Sequence, residues 1–454
     1  MCGFRGRNRI EENGAAHTIP CQNAGKEDKC MRMTNDRIQH VTAREILDSR
    51  GNPTVEATVW LEDGTFGTAA APSGASTGKY EAHELRDGDG KRYCGKGVLQ
   101  AVENIRGPIC EALRGLPSCP CTVDTRLIHL DDTENKKRLG ANAVLAVSLA
   151  AAKAGAWYHR MPLYRYIGGV RTGDMPVPMM NILNGGAHAD NNIDIQEFMI
   201  VPRGFSTFRE ALRAGCEVYH TLGKLLRASG KSVGVGDEGG FAPDMRDNGE
   251  VLSILCDAVE KAGYTTEQIC FAMDAASSEW ASGDGRYTLP KAGGTMDSVD
   301  LIGMYEGLAE KFPVVSLEDG LGEDDAAGWK SMTERLGKKM LLVGDDFFVT
   351  NPAKLQEGIR HGLGNAILVK PNQIGTLTET MEVVRMAKNA GYHTILSHRS
   401  GETDDTTIAD LAVGLGTGYI KTGAPCRGER TAKYNRLLAM EEELANGARY
   451  GGGF

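Results

Sequence analysis

The chain has 454 residues, 41% hydrophobic and 24% charged, with 58 glycines and a formal net charge of −9. That composition belongs to a globular protein rich in tight turns, with room for a barrel of ~250 residues beside a smaller domain, and excludes a fibre or a wholly disordered chain. The negative balance argues against direct nucleic-acid binding, and no apolar run approaches the ~18 residues that a membrane span needs.

Residues 1 to about 36 are polar and without periodicity, which predicts a disordered N-terminal extension. Met31 and Met33 stand just before the first patterned segment and offer an alternative start. The opening MCGFRGRNRI lacks the apolar stretch of a signal peptide, so a cytoplasmic location is expected. The eleven cysteines are scattered, with only Cys119 and Cys121 close together; they read as small buried hydrophobes, and none is assigned a role.

Between about 37 and 70 the pattern alternates through TVEATVWLEDGTFGTAA, with DG as the turn of a hairpin. The glycine-rich PSGASTG follows, then helical stretches, notably NAVLAVSLAAAKAGAWYH at 142–159. These elements predict a small α+β domain over residues 37–172.

From 173 to 454 the style changes. Short continuous apolar runs, EFMIVP, ICFAMD, VVSLED, LLVGDD, AILVK, TILSH and YIKTG, alternate with helix-like segments such as GEVLSILCDAVEKAGY and TLTETMEVVRMAKNAGY. Unbroken apolar runs suit strands buried on both faces, and intervening helices imply parallel order. Seven or eight such units predict an α/β fold with a TIM-type (β/α)8 barrel. A doubly wound sheet is the alternative, but no glycine-rich dinucleotide fingerprint opens a strand-to-helix turn.

The runs end on charge. Asp274, Glu318, Asp345, Lys370, His398 and Lys421 each stand at or just after the close of a run, and in a parallel barrel such residues emerge on one rim. Three gathered carboxylates repel one another unless a cation lies among them, and Asp274, Glu318 and Asp345 are hard oxygen donors suited to Mg2+ rather than zinc. A lysine crowded by positive charge and partly desolvated has a lowered pKa, which makes Lys370 a candidate base. The plainer alternative pairs the carboxylates with Lys370 and Lys421 as salt bridges. Glu238 lies among glycines in GVGDEGGFAP, and Gln196 and Glu197 stand at a strand start in DIQEFMI. Arg399 and Ser400, in SHRSGE, offer a planar donor fork and a hydroxyl to a phosphate. The SGASTG loop offers small residues and free N–H groups that can close over a phosphate and a second metal ion.

DSRGNPTVE, PSGASTG, ELRDGD, GANAVLAVSLA, MPVPMMNILNGG, DIQEFM, GDEGGFAP, SLEDGL, VGDDFFVTN, KPNQIGTLTET, SHRSGETDD and IKTGAPCRGERTAKYN follow in an order that resembles the enolase family from about residue 40 to 440. The resemblance implies an enolase-variant barrel after a smaller α+β domain, and reversible dehydration of 2-phosphoglycerate to phosphoenolpyruvate. It implies Lys370 as the base at C2 and Glu238 as the acid at the C3 hydroxyl. Asp274, Glu318 and Asp345 then match ligands of a first Mg2+, which binds the substrate carboxylate together with Lys421, and Ser76 matches a ligand of a second. Arg399 and Ser400 match phosphate contacts, while His188, Gln196, Glu197 and His398 match the lining of the substrate pocket. A homodimer or larger homo-oligomer is implied, as is the secreted or cell-surface fraction found for relatives. Two alternatives stand beside this reading: a related enzyme acting on an acid without phosphate, and a non-catalytic scaffold that joins an RNA degradosome or surface partners.

Overall fold

The structure, a computed structural model, describes residues 36–74, 80–283 and 285–451. The expected N-terminal extension and the second-metal residue Ser76 lie outside the described residues, apart from Asp36 at the edge of the extension.

Three antiparallel strands open the chain: β1 (Ile38–Leu47), β2 (Pro53–Leu61) and β3 (Phe66–Ala70), in the order 1-2-3. The predicted hairpin is β2–β3, turning at Gly64 with φ +87° while the Asp63 carboxylate accepts the Thr65 N–H at 2.9 Å. The sequence reading of a two-strand unit missed β1 as a separate strand. Alternation in β2 sends Val55, Ala57, Val59 and Leu61 to one face, all fully buried, and leaves Thr58 to bond Thr68 across the other at 2.9 Å.

The helix Ala141–Tyr158 packs on that buried face, and fifteen of its eighteen residues are buried. A helix covered on nearly all sides has no polar stripe, which is why its sequence reads as a run of alanines and valines. The approach is close enough to need a missing side chain. A Cβ on Gly67 would lie 2.3 Å from the Ala154 nitrogen and 2.4 Å from the Ala150 oxygen.

Eight strands close into a barrel: β4 (Val177–Asn184), β5 (Glu197–Pro202), β6 (Ile269–Asp274), β7 (Val314–Glu318), β8 (Leu341–Gly344), β9 (Ala366–Val369), β10 (His393–Ser397) and β11 (Gly418–Lys421). Its interior is a packed layer that includes Met179, Met199, Val343, Leu368 and Tyr419, as expected of a filled barrel rather than a pore. The eighth strand lay hidden in VPMMNILN. The all-parallel expectation needs one correction, because β5 runs antiparallel to both β4 and β6. The connection from β4 to β5 is a loop with a single short turn, Gly186–His188, and no crossover helix, so the chain must return in the opposite direction.

Helices after the strands begin with side-chain caps from Asp247, Asp297, Asn351 and Thr376, each accepting a backbone N–H of the first turn. The helix after β9, Leu377–Asn389, also binds the N-terminal elements. Its Leu377 and Thr378 N–H groups donate to Ser148 Oγ at 3.0 Å and Asp124 Oδ2 at 2.8 Å, and Glu379 pairs with Lys136 at 2.6 Å. Helix starts of this kind stand at the C-terminal rim of the strands, so the α+β elements are anchored beside that rim. A further tie is the two-way backbone bridge between Ser73 and Gly401, at 2.8 and 2.9 Å.

Replacing Gly67 by valine should force β3 off the helix and lower stability by about 3 kcal/mol, an overpacking cost without a rotamer that escapes it. Denaturant melts of the parent and Gly67→Val proteins check this; equal midpoints would contradict the close packing.

Candidate active site

Strand register gathers the charged residues at one rim. Glu197 pairs with Asp274 across β5–β6, Asp274 with Glu318 across β6–β7, and Ser397 with Lys421 across β10–β11. Glu197 reaches the rim because β5 is antiparallel: it opens its strand where its neighbours close theirs.

Lys421 is the hub of the buried half. Its ammonium lies 2.8 and 2.9 Å from the two Glu318 oxygens, 3.2 Å from Asp274 Oδ2 and 3.0 Å from Glu197 Oε2. Burial disfavours that charge, yet the surrounding carboxylates hold the Lys421 pKa well above its ordinary value. Burial and then repulsion from Asp274 push Glu318 well up, while burial and then Glu238 do the same to Glu197.

On the other side Lys370 donates to Asp345 Oδ2, and Gln373 Nε2 donates to Asp345 Oδ1 at 3.1 Å. Burial is the largest influence on the Asp345 carboxyl and raises its pKa, but Lys370, with Lys421 and Arg399 beyond it, together turn the net direction down. The same pairing corrects the expectation for Lys370. Burial is the largest influence and disfavours its ammonium, but Asp345 and then Glu318 together turn the net direction up. The nearest charged side chain to the Lys370 ammonium is the Asp345 carboxylate.

The third group joins Glu238 to His398, whose Nε2 lies 3.4 Å from Glu238 Oε2. Asn181 donates to the same carboxylate oxygen at 3.0 Å. Burial depresses His398 to about 4, so the ring is neutral at pH 7. His188 Nδ1 lies 3.4 Å from Glu197 Oε1, and Gln196 Nε2 donates to Asp274 Oδ2 at 3.4 Å. Arg399 is buried and pairs with Glu81 at 3.0 Å and Asn372 at 3.2 Å, beside Ser400.

One cleft is lined by His188, Gln196, Glu197, Glu238, Asp274, Asp345, Lys370, His398, Arg399, Ser400 and Lys421, and Glu318 stands behind it on Lys421. Four acidic residues that the sequence reading did not single out also line it: Glu81, Glu279, Asp319 and Asp346. Asp319 and Asp346 each directly follow a predicted ligand, so the doubled acids in SLED and VGDD were the available signal. Asp319 accepts the backbone N–H groups of Asp345 and Asp346 at 2.9 and 2.8 Å, which fixes the turn that presents Asp345. Burial, then the charge of Asp345, lifts Asp346 to about 7.

Eight carboxylates therefore line a cleft that holds three basic side chains, Lys370, Arg399 and Lys421. Hard oxygen donors in such surplus fit a divalent cation such as Mg2+. Among the described residues, ligand atoms lie within 4.8 Å of one another in His188, Glu197 and Glu238, and again in Asp319, Asp345 and Asp346. The predicted trio of Asp274, Glu318 and Asp345 is not such a group; Lys421 contacts the first two and Lys370 the third.

Lys421→Met should strand three buried carboxylates and destabilise the metal-free protein by about 3–5 kcal/mol at pH 7. Added Mg2+ should narrow the gap between parent and variant in a thermal melt. A variant as stable as its parent without metal would contradict the hub role of Lys421.

Two family models match the sequence. Residues 38–167 match "Enolase, N-terminal domain" and residues 172–453 match "Enolase, C-terminal TIM barrel domain". Together they span nearly all the described chain, and the eight-stranded barrel with its carboxylate-rich rim agrees with them: this protein belongs to the enolase family.

Proposed function

We propose that the protein is a phosphopyruvate hydratase, a lyase of glycolysis that interconverts 2-phosphoglycerate with phosphoenolpyruvate and water. The observation that carries this reading is the shared cleft: a buried lysine, a carboxylate–histidine pair and an arginine beside a serine face the same carboxylate-rich space.

The hydrogen on C2 of 2-phosphoglycerate is weakly acidic, because the electron pair left behind must enter an already anionic carboxylate. In the proposed reaction Lys370 takes that proton, the C2–C3 double bond forms, and the C3 hydroxyl leaves as water with a proton from Glu238. Mg2+ held by Asp274, Glu318 and Asp345, with a second ion at Ser76, would supply positive charge for the developing enolate. Lys421 adds an ammonium for the substrate carboxylate. Arg399 and Ser400 hold the phosphate, for which Arg399 must exchange its Glu81 partner.

Two features of the resting site bear on the roles. Lys370 can accept a proton only when Asp345 no longer holds its ammonium, and Asp345 is one of the carboxylates assigned to the metal. Glu238 opposes burial through its contacts with His398 and His188 and rests ionised. It is thus ready to activate water in the hydration direction, and it must first gain a proton to act as the acid in dehydration.

With 2-phosphoglycerate and Mg2+, the protein should generate the ultraviolet absorbance of an enol phosphate, and EDTA should abolish it. No absorbance change at saturating Mg2+ would overturn the assignment. Arg399→Ala should lower kcat/KM by ~100-fold through lost positioning of the phosphate. Unchanged kinetics would favour an enzyme acting on an acid without phosphate. Full biological effect from Lys370→Ala and Glu238→Ala proteins would favour the scaffold.

A further inference from the structure

Arg430 is fully buried in the helix Gly428–Leu444, outside the residues that line the cleft. Its guanidinium nevertheless reaches three separate parts of the proposed site. Nη1 lies 2.6 Å from His398 Nδ1 and donates to the Arg399 carbonyl at 2.7 Å. Nη2 donates to the Ser400 carbonyl at 2.6 Å and to the Asp237 carbonyl, next to Glu238, at 3.1 Å. Nε faces Glu429 Oε1 at 3.4 Å.

A guanidinium carries only donors and stays charged in proteins. At 2.6 Å from it, His398 Nδ1 must be the acceptor, so its proton sits on Nε2, the nitrogen 3.4 Å from Glu238 Oε2. The remaining bonds fix the backbone on either side of Arg399 and at the entrance to Glu238. Gly423 helps to make room, since a Cβ there would lie 3.0 Å from Arg430 Cδ.

We infer that Arg430 is a positioning residue: one buried guanidinium sets the His398 tautomer and ties the proposed acid Glu238 to the proposed phosphate contacts Arg399 and Ser400. Its kinetic consequences rest on the hydratase reading, whereas the tautomer does not. Lysine cannot replace it, because a single ammonium lacks the planar fork that spans His398 and three carbonyls at once. Arg430 does not line the cleft and acts through these neighbours.

Two measurements test this. In the full-length protein with 15N-labelled histidine and Mg2+, long-range proton–nitrogen correlation spectra at neutral pH should show His398 bare at Nδ1 and protonated at Nε2. The signal is assigned by its loss in His398→Gln. A proton on Nδ1, alone or in a doubly protonated ring, overturns the inference whatever the protein's activity. In the second measurement, Arg430→Lys should lower kcat/KM for 2-phosphoglycerate by about 100-fold, with KM raised through Arg399 and Ser400 and kcat lowered through Glu238. A purely structural role would lower the melting temperature and the active fraction while leaving KM unchanged. A folded Arg430→Lys protein with the parent's kcat and KM overturns the inference. Should that variant fail to fold, the tautomer in the parent decides the matter, and a parent without hydratase activity refutes the function while leaving the tautomer result intact.

Discussion

A buried ammonium shared by three carboxylates is the interaction on which the site depends. Lys421 contacts Glu197, Asp274 and Glu318 from the ends of three adjacent strands, where little water remains to screen any of them. Carboxylates packed this closely without a cation would protonate or separate. Lys421 therefore stabilises the charge and also reports its surplus, since one ammonium cannot neutralise three neighbours with Asp345, Asp319 and Asp346 close by. In the proposed function a divalent ion completes the balance, and at Asp274, Glu318 and Asp345 it would compete with Lys421 and Lys370 for the same oxygens. That competition links the resting pairings to the proposed chemistry, because freeing Lys370 from Asp345 removes the contact that keeps it protonated.

Topology delivers these side chains to one place. Parallel strands bring Asp274, Glu318 and Lys421 to a common rim, and the reversed strand β5 adds Glu197 from its first residue instead of its last. The acidic rim is therefore denser than an all-parallel barrel with the same sequence segments would make it. The α+β elements are fastened at the same end through Ser148, Asp124 and Lys136, which places Glu81 against Arg399. The proposed site and the packing of the α+β elements meet on the loops after β9 and β10.

Much of this was legible in the sequence because barrel strands buried on both faces leave unbroken apolar runs, and a charge after such a run stands out. The helix segments were legible for the same reason, with Thr376 and Asp247 capping close to the expected starts. What escaped notice had no such contrast. The strand Val177–Asn184 has Pro176 just before it, Pro178 as its second residue and Asn181 and Asn184 within it, so it reads as a boundary. Strand direction leaves no mark on composition, and the reversal of β5 follows only from the missing crossover helix. Arg430 looked like an ordinary helix arginine in GERTAKYN, since its partners are carbonyls and an imidazole more than thirty residues away by sequence or nearly so. The raised pKa of Lys370 was unreadable because it depends on which neighbour lies nearest, and the sequence cannot rank Asp345 against a bound cation.

In the proposed function the rim's surplus negative charge serves a divalent ion held by Asp274, Glu318 and Asp345. Crystals grown with Mn2+ in place of Mg2+, measured at the manganese absorption edge, test it most directly. The expected result is an anomalous peak in contact with all three carboxylates and a lengthened separation between Lys370 and Asp345. No peak at the rim, or one that leaves the Lys421 and Lys370 pairings as they are, would contradict it.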